Sequence, residues 1–215
     1  MGSVKIGIGL LTYKRPECKQ LFLDQLKKYP PFYNYTLHIE EDNPSISKGK
    51  NNCLHALRDC DSIVLFDDDC FPIKEHWDLP LIDSGQHHLL FMDHRHGEIS
   101  DDGEVTKYND CSGCFLFLTK EVFEKVGYFN TAYPFNGFEH VAYSTRIKKA
   151  TREDGFYCLS DMKKYFYSLD LQQEKTWNVW HKTTISNKKK TMALTHNRLI
   201  FTEEINSEKI YYDKA

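Results

Sequence analysis

Ser62-Ile63-Val64-Leu65-Phe66, running into Asp67-Asp68-Asp69, is the stretch whose reading decides the fold. Its apolar residues follow one another without polar alternation, the pattern of a short strand covered on both faces in a parallel sheet. Upstream, Val4–Leu11 is another apolar run, ending at Thr12-Tyr13. Pro16 suits the first turn of a helix, in which Cys18, Leu21, Phe22 and Leu26 recur at helical spacing until Pro30-Pro31. Tyr35–Ile39 reads as a strand that runs into Glu40, Glu41 and Asp42. Asn43-Pro44 is a turn, and Lys50–Cys60 carries Cys53, Leu57 and Cys60 on one helical face. This alternation of strand and helix predicts right-handed crossovers and an α/β fold, with a mostly parallel central sheet flanked by helices. Such sheets bind ligands beyond the carboxyl ends of their strands. Those ends are Thr12-Tyr13, Glu40–Asp42 and Asp67–Asp69, and every one is polar.

Downstream the pattern is more mixed. Leu89–Met92 and Cys111–Leu118 read as strands, with a turn-rich excursion from Gly97 to Gly103 between them. Thr119 is placed to cap a helix that ends at Gly127, and Glu139–Ala150 reads as another helix. Beyond Lys175 the signal weakens, and Lys188-Lys189-Lys190 is expected in a loop between short elements. No repeat or linker divides the 215 residues, so one domain is expected, with a nucleotide-binding half over about 1–70, an acceptor-side half over about 85–175 and a tail over about 176–215.

Composition narrows the function classes. Lys and Arg total 28 against 31 Asp and Glu, a formal charge of −3, which gives no footing for a nucleic-acid or anionic-membrane binder. No stretch approaches the roughly 20 apolar residues of a membrane span, and the polar start does not resemble a signal peptide. Seven scattered cysteines, an odd number, are expected as reduced thiols in a cytoplasmic compartment.

Chemistry concentrates at Asp67-Asp68-Asp69. In an extended backbone residues i and i+2 share a face, so Asp67 and Asp69 can converge, and carboxylates that close repel unless a proton or cation neutralises them. Oxygen-only ligands suit Mg²⁺ or Mn²⁺ with substrate phosphates. A solvated acidic turn is the plain alternative. Other phosphate signatures fail. Gly7-x-Gly9 lies inside the first strand, and Gly49-Lys50 has no glycine five residues earlier and is followed by Asn, which excludes the dinucleotide fingerprint and the P-loop.

Taken in order, Thr12-Tyr13-Lys14-Arg15-Pro16, the acidic end of the second strand, Lys50-Asn51-Asn52 and Leu65-Phe66-Asp67-Asp68-Asp69 resemble the GT-A nucleotide-sugar glycosyltransferases, particularly the family 2 type. The resemblance continues through Gly113, through Val126-Gly127-Tyr128-Phe129, and through Gly137-Phe138-Glu139-His140 with Arg146, so that it covers roughly 4–150. In its small size and these variants the chain is similar to glycosyltransferase domains encoded by chlorella viruses, for which the compartment would be the host cytoplasm. The resemblance implies a GT-A, Rossmann-like fold and transfer of a hexose, glucose by default, from a UDP-sugar to a hydroxyl acceptor. Inversion at the anomeric carbon and use of Mn²⁺ or Mg²⁺ come with it. It implies a carbohydrate or glycoprotein acceptor, no nucleic-acid partner, and attachment in some cases to further domains of a longer polypeptide.

Residue by residue, it places Thr12, Tyr13 and Arg15 at the base and diphosphate, Glu40 or Asp42 at the uracil or ribose, and Lys50 or Asn51 at the nucleotide. Asp67 and Asp68 join the donor site, with Asp67 bonding the ribose and also available to the metal, and Asp69 ligates the metal. A late histidine, His181 or His196, would complete the metal site. One departure matters, because the family usually has Glu-Asp where this chain has Glu139-His140, and that Asp is the usual base. Glu139 is therefore the first candidate base and His140 the second, on its unperturbed pKa near neutrality. Glu139 as a helix cap and His140 as a packed ring are the structural alternatives.

Other features are assigned more plainly. Cys111-x-x-Cys114 has no second pair at zinc spacing and falls in a predicted strand, so structural cysteines are expected. Asp93-His94-Arg95-His96 is expected as a polar loop near the acceptor cleft, and Lys188–Lys190 as a solvated face or a lid over the diphosphate. Two rivals stay open: a sugar-phosphate nucleotidyltransferase, whose Gly-rich signature is missing from TYKRPE, and a non-catalytic nucleotide-sugar or glycan-binding module.

Overall fold

The computed structural model describes residues 4–41, 43–92, 97–134, 137–169 and 187–214, with the backbone alone at 187–191. Strand β1 (Lys5–Thr12), helix α1 (Pro16–Lys28), β2 (Asn34–Glu41), α2 (Ile46–Leu57) and β3 (Ser62–Asp67) form the expected alternation. They are followed by β4 (Cys70–Pro72), α3 (Asp78–Asp83), β5 (His88–Leu90), β6 (Glu98–Asp101), β7 (Val105–Tyr108), β8 (Phe115–Thr119) and α4 (Lys120–Val126). Helix α5 (Glu139–Thr151), β9 (Phe156–Leu159), a short 3-10 turn, β10 (Phe166–Ser168) and α6 (Asn187–Asn206) complete the order.

The central sheet runs β2-β1-β3-β8-β5. β1 pairs in parallel with both β2 and β3, while β8 is antiparallel to β3 and β5. The chain leaves β1 to one side for β2 and returns past it to β3, so the topological switch lies between the carboxyl ends of β1 and β3. A crevice is expected there.

Phe66 on β3 explains much of the core. Its ring meets Phe22 of α1 at 5.1 Å, Phe115 of β8 at 5.1 Å, and Trp77 and Phe166 at 5.9 Å. Leu65 faces the opposite side, toward α2, where a Cβ on Gly9 would lie 2.7 Å from Leu65 and 2.8 Å from Cys53. The G-x-G of β1 is thus a packing device that brings α2 against the sheet. The two helices cover opposite faces, which is why β3 has no polar alternation.

Several boundaries differ from the sequence reading. The strand expected over Cys111–Leu118 starts only at Phe115, and Cys111–Cys114 form a loop instead, because the Gly113 carbonyl is taken by a lysine rather than by a neighbouring strand. The excursion from Gly97 contains β6, a strand so exposed and polar that it carries no apolar signal. Lys188–Lys190 fall in the first turn of a helix of 20 residues, not in a loop. Among the described residues no helix is long and apolar enough to cross a membrane.

Helix α5 is anchored at its middle. Arg146 is buried and donates to the carbonyls of Val126, Tyr128 and Ile210 and to Glu204 of α6. Glu204 also accepts from Asn130 and Tyr133. This cluster fixes where the N-terminus of α5 points.

Candidate active site

At the switch point Thr12 Oγ1 donates to Asp68 Oδ2 at 2.7 Å, across the ends of β1 and β3. Arg15, the residue before α1, donates to the same oxygen at 3.1 Å through Nε and pairs with Asp68 Oδ1 through Nη2. Its Nη1 stands 4.0 Å from Asp69 Oδ2. Burial pushes the Asp68 carboxyl up to about 6, although Arg15 and Thr12 work against that rise. Burial disfavours the charge of Arg15, but the three aspartates outweigh it and keep the guanidinium firmly protonated. Extended backbone ends at Asp67, because Asp68 and Asp69 form the turn into β4. The i, i+2 argument for Asp67 and Asp69 therefore does not apply. Arg15 gathers Asp68 and Asp69, whereas Asp67 pairs with Lys50.

Asp67, Thr12, Tyr13, Arg15 and Glu40 line one open cleft of about 120 Å³ at this sheet edge. Glu40 is oriented by Asn43 at 3.1 Å and Asn52 at 2.7 Å. Asn51 is elsewhere. Its side-chain amide accepts from Phe129 N at 2.7 Å and donates to Phe129 O at 3.0 Å, so it tethers the Phe129 backbone rather than reaching into the cleft.

Lys50 leads from the cleft to a second group of residues. Its side chain is 1% exposed, lies 5.6 Å from the centre of the Phe129 ring, and donates to Gly113 O at 3.3 Å. The ammonium is 3.8 Å from Asp67 Oδ1 and 3.9 Å from Glu139 Oε1. Glu139 opens α5, where Gly137 N donates to its Oε2 at 2.6 Å and His140 Nδ1 lies 3.4 Å from its Oε1. Burial alone would raise the Glu139 carboxyl, but His140, Lys50 and its own backbone N–H outweigh burial and hold it down at about 2. His140 is partly exposed and rests on Gly113, where a Cβ would fall 2.4 Å from the ring.

The structure thus brings Thr12, Tyr13, Arg15, Glu40, Asp67, Asp68 and Asp69 to one edge and links them through Lys50 to Glu139 and His140. Asp42 and His181 lie outside the described residues, as do Asp93–His96, Trp177 and Trp180, and so do the side chains of Lys188–Lys190. His196 is exposed on α6. Sequence reasoning missed the bridge from Lys50 to Glu139 and the anchoring Glu204. The lone Gly113 before an apolar strand was the available signal for the close approach of His140.

No protein-family model matches the chain, and no curated protein matches it. Solved structures do. GalNAc-T7 with UDP, GalNAc and Mn²⁺ aligns over 95% of this chain and 50% of its own, at 9% identity and a TM-score of 0.58. TarS of S. aureus aligns over 96% of this chain and 44% of its own, at 12% identity and a TM-score of 0.58. The catalytic domain of Drosophila beta1,4galactosyltransferase 7 with xylobiose aligns over 88% and 79%, at 14% identity and a TM-score of 0.50. The fold is GT-A. In this GT-A chain the acidic turn after β3 and the N-terminus of α5 flank one face of the sheet edge, with Lys50 between them.

The donor chemistry at the acidic turn suits a hard cation. Asp67 and Asp69 offer only oxygens, with Lys50 3.8 Å from the first and Arg15 4.0 Å from the second, and Asp68 is engaged by Thr12 and Arg15. Among the described residues no three His, Cys, Asp or Glu side chains converge to hold a metal. A cation on Asp67 and Asp69 would take its remaining positions from phosphate oxygens and water, as Mg²⁺ and Mn²⁺ do.

Proposed function

We propose that the chain is a metal-dependent glycosyltransferase of the family 2 type. It would transfer a hexose, glucose by default, from a UDP-sugar to a hydroxyl of a glycan or glycoprotein, with inversion. The observation that carries this reading is the pairing of a cleft-lining carboxylate, Asp67, with a buried carboxylate, Glu139, on either side of one ammonium, Lys50. The ligands of the structural neighbours support it, namely UDP, GalNAc and Mn²⁺ in GalNAc-T7 and xylobiose in the Drosophila enzyme.

Tyr13 and Glu40 would face the base and ribose, with Asp42 beside them, and Asp67 would bond the ribose. Arg15 would stay with the aspartates and set their geometry. Asp69 and Asp67, with His181 in reserve, would hold Mn²⁺ or Mg²⁺, which when bound supplies positive charge to the departing diphosphate. With Asn51 occupied by the Phe129 backbone, Lys50 is the nucleotide contact of that segment. The acceptor oxygen would attack the anomeric carbon as its bond to the diphosphate oxygen breaks. UDP would leave with the bonding pair, and the acceptor proton would pass to Glu139, beside which His140 is the second candidate. The free thiols, seven in all, support a reducing, cytoplasmic setting.

Calorimetric titration of UDP, GDP and CMP, with and without Mn²⁺, tests the donor site on wild type and Asp69→Ala. Metal-dependent binding of UDP that is lost in Asp69→Ala is the expected result. No metal-dependent nucleotide binding would reduce Asp67–Asp69 to an acidic turn and sink the reading.

A further inference from the structure

We propose that Lys50 is a counter-ion shared between the donor cleft and Glu139, so that occupation of the cleft by a nucleoside diphosphate draws Lys50 away from Glu139 and frees that carboxylate to act. This inference rests on the donor-site reading above. Lys50 stands midway, 3.8 Å from Asp67 Oδ1 and 3.9 Å from Glu139 Oε1, and commits fully to neither. Its one described hydrogen bond, at 3.3 Å, goes to a backbone carbonyl on Gly113. An ammonium has three donors, and among the described residues this one has only a neutral acceptor in bonding range. It is therefore poised to move a short way toward whichever anion arrives. The cleft side is where a new anion would come, since Asp67 and the adjacent Gly49 both line it.

Glu139, by contrast, is over-supplied. It has Gly137 N at 2.6 Å, His140 at 3.4 Å and Lys50 at 3.9 Å, all of which favour the carboxylate and make it a poor proton acceptor. Withdrawing Lys50 removes one of these partners at the moment a donor is bound. The carboxylate would then gain basicity only while a donor occupies the cleft.

Competition for one cation has a thermodynamic consequence, because linkage between two sites is reciprocal. If the diphosphate and Glu139 compete for Lys50, removing the charge of Glu139 must improve diphosphate binding through Lys50. The probe is UDP with Mn²⁺, titrated calorimetrically into wild type, Glu139→Gln, Lys50→Met and the double variant. Expected are tighter UDP binding in Glu139→Gln by roughly 5-fold, within the usual range of coupling between sites, weaker binding in Lys50→Met, and a double variant that matches Lys50→Met. Three results would overturn the proposal. Glu139→Gln could leave UDP affinity unchanged or lower. Its gain could persist without Lys50, which would make it a through-space charge effect. Wild type could fail to bind UDP, which would remove the donor-site reading as well. Should Lys50→Met lose its fold by circular dichroism, Lys50→Gln takes its place in the cycle.

Discussion

Arg146 and Glu204, 58 positions apart, meet at 2.8 Å with both side chains 2% exposed. The pair joins α5 to α6, and the other guanidinium nitrogens of Arg146 hold the backbone at Val126, Tyr128 and Ile210. Glu139 stands at the start of the same helix. A surface helix would place that carboxylate loosely, whereas a helix riveted at its centre to three separate segments places it rigidly. The arginine that the sequence offers as a motif residue is structural, and its contribution to chemistry is the position of another group.

Removing one member of this pair leaves the other charge buried and unpaired. Glu204→Ala is expected to destabilise the fold by about 3–5 kcal/mol, and Arg146→Met with Glu204→Leu recovers little of that loss, because it strips the partners from the carbonyls of Val126, Tyr128 and Ile210 and from Asn130 and Tyr133. Urea denaturation of the single and double variants checks it. A loss well under 1 kcal/mol, the level of surface pairs, would show that the pair is solvated.

His88 supplies a pH dependence of stability. It is buried under α5, with its Nδ1 2.7 Å from Phe117 O and Nε2 2.8 Å from Ser144 Oγ. Phe117 O can only accept, so Nδ1 carries the proton and Nε2 accepts from Ser144. Burial lowers the imidazole from its usual 6.5 to about 4, against the pull of the Phe117 carbonyl. Between those values the unfolded chain binds a proton that the native state refuses, so stability falls as pH drops from about 6.5 through about 4. The loss is about 3 kcal/mol at 1.4 kcal/mol per unit. Denaturation at pH 7 and pH 5 should show a slope that His88→Gln flattens, and an identical slope in both proteins would rule His88 out.

Much of this molecule is legible in its sequence, for reasons that differ by element. Thr119 accepts from Val122 N and Gly127 ends the same helix, so α4 lies between two local signals. β1 and β3 read from apolar runs because they are buried in the middle of the sheet, with α1 and α2 on opposite faces of β3, whereas β2 at the sheet edge is half-exposed and mixed. β6 was missed because its residues face water, and α6 because its exposed Met192, Leu194 and Leu199 blur any apolar stripe. In the site, the strand-end carboxylates are visible as residue types. Which of them turns inward is decided by Arg15, and the link from Lys50 to Glu139 joins distant segments that no local pattern connects.

Gly113 is a second, independent handle on His140. A methyl group at this position would fall 2.4 Å from His140 Cγ, inside any allowed contact, so Gly113→Ala must displace the ring from its place beside Glu139. Sugar transfer should slow by roughly 10²-fold, the scale of a misplacement of about 1 Å in a reacting group. UDP affinity should fall far less than transfer, because Gly113 lies outside the lining of the donor cleft and reaches the donor side only through its carbonyl, which accepts from Lys50. Single-turnover transfer measured beside calorimetric UDP binding separates the two effects. Unchanged transfer would mean that the position of His140 has no bearing on the reaction.

Glu139→Gln is the decisive substitution for the chemistry. Glutamine keeps the shape and can still accept from Gly137 N, but it cannot take a proton from an acceptor hydroxyl. The turnover rate is expected to drop by roughly 10²–10⁴-fold, the usual contribution of a positioned base. UDP should bind at least as tightly as before, so the loss falls on the chemical step and not on donor capture. His140→Gln should cost less, because His140 acts beside Glu139 in this reading. If His140→Gln abolished transfer while Glu139→Gln kept it within a few-fold, the two roles would have to be exchanged, with the imidazole as base and the carboxylate as the group that orients it.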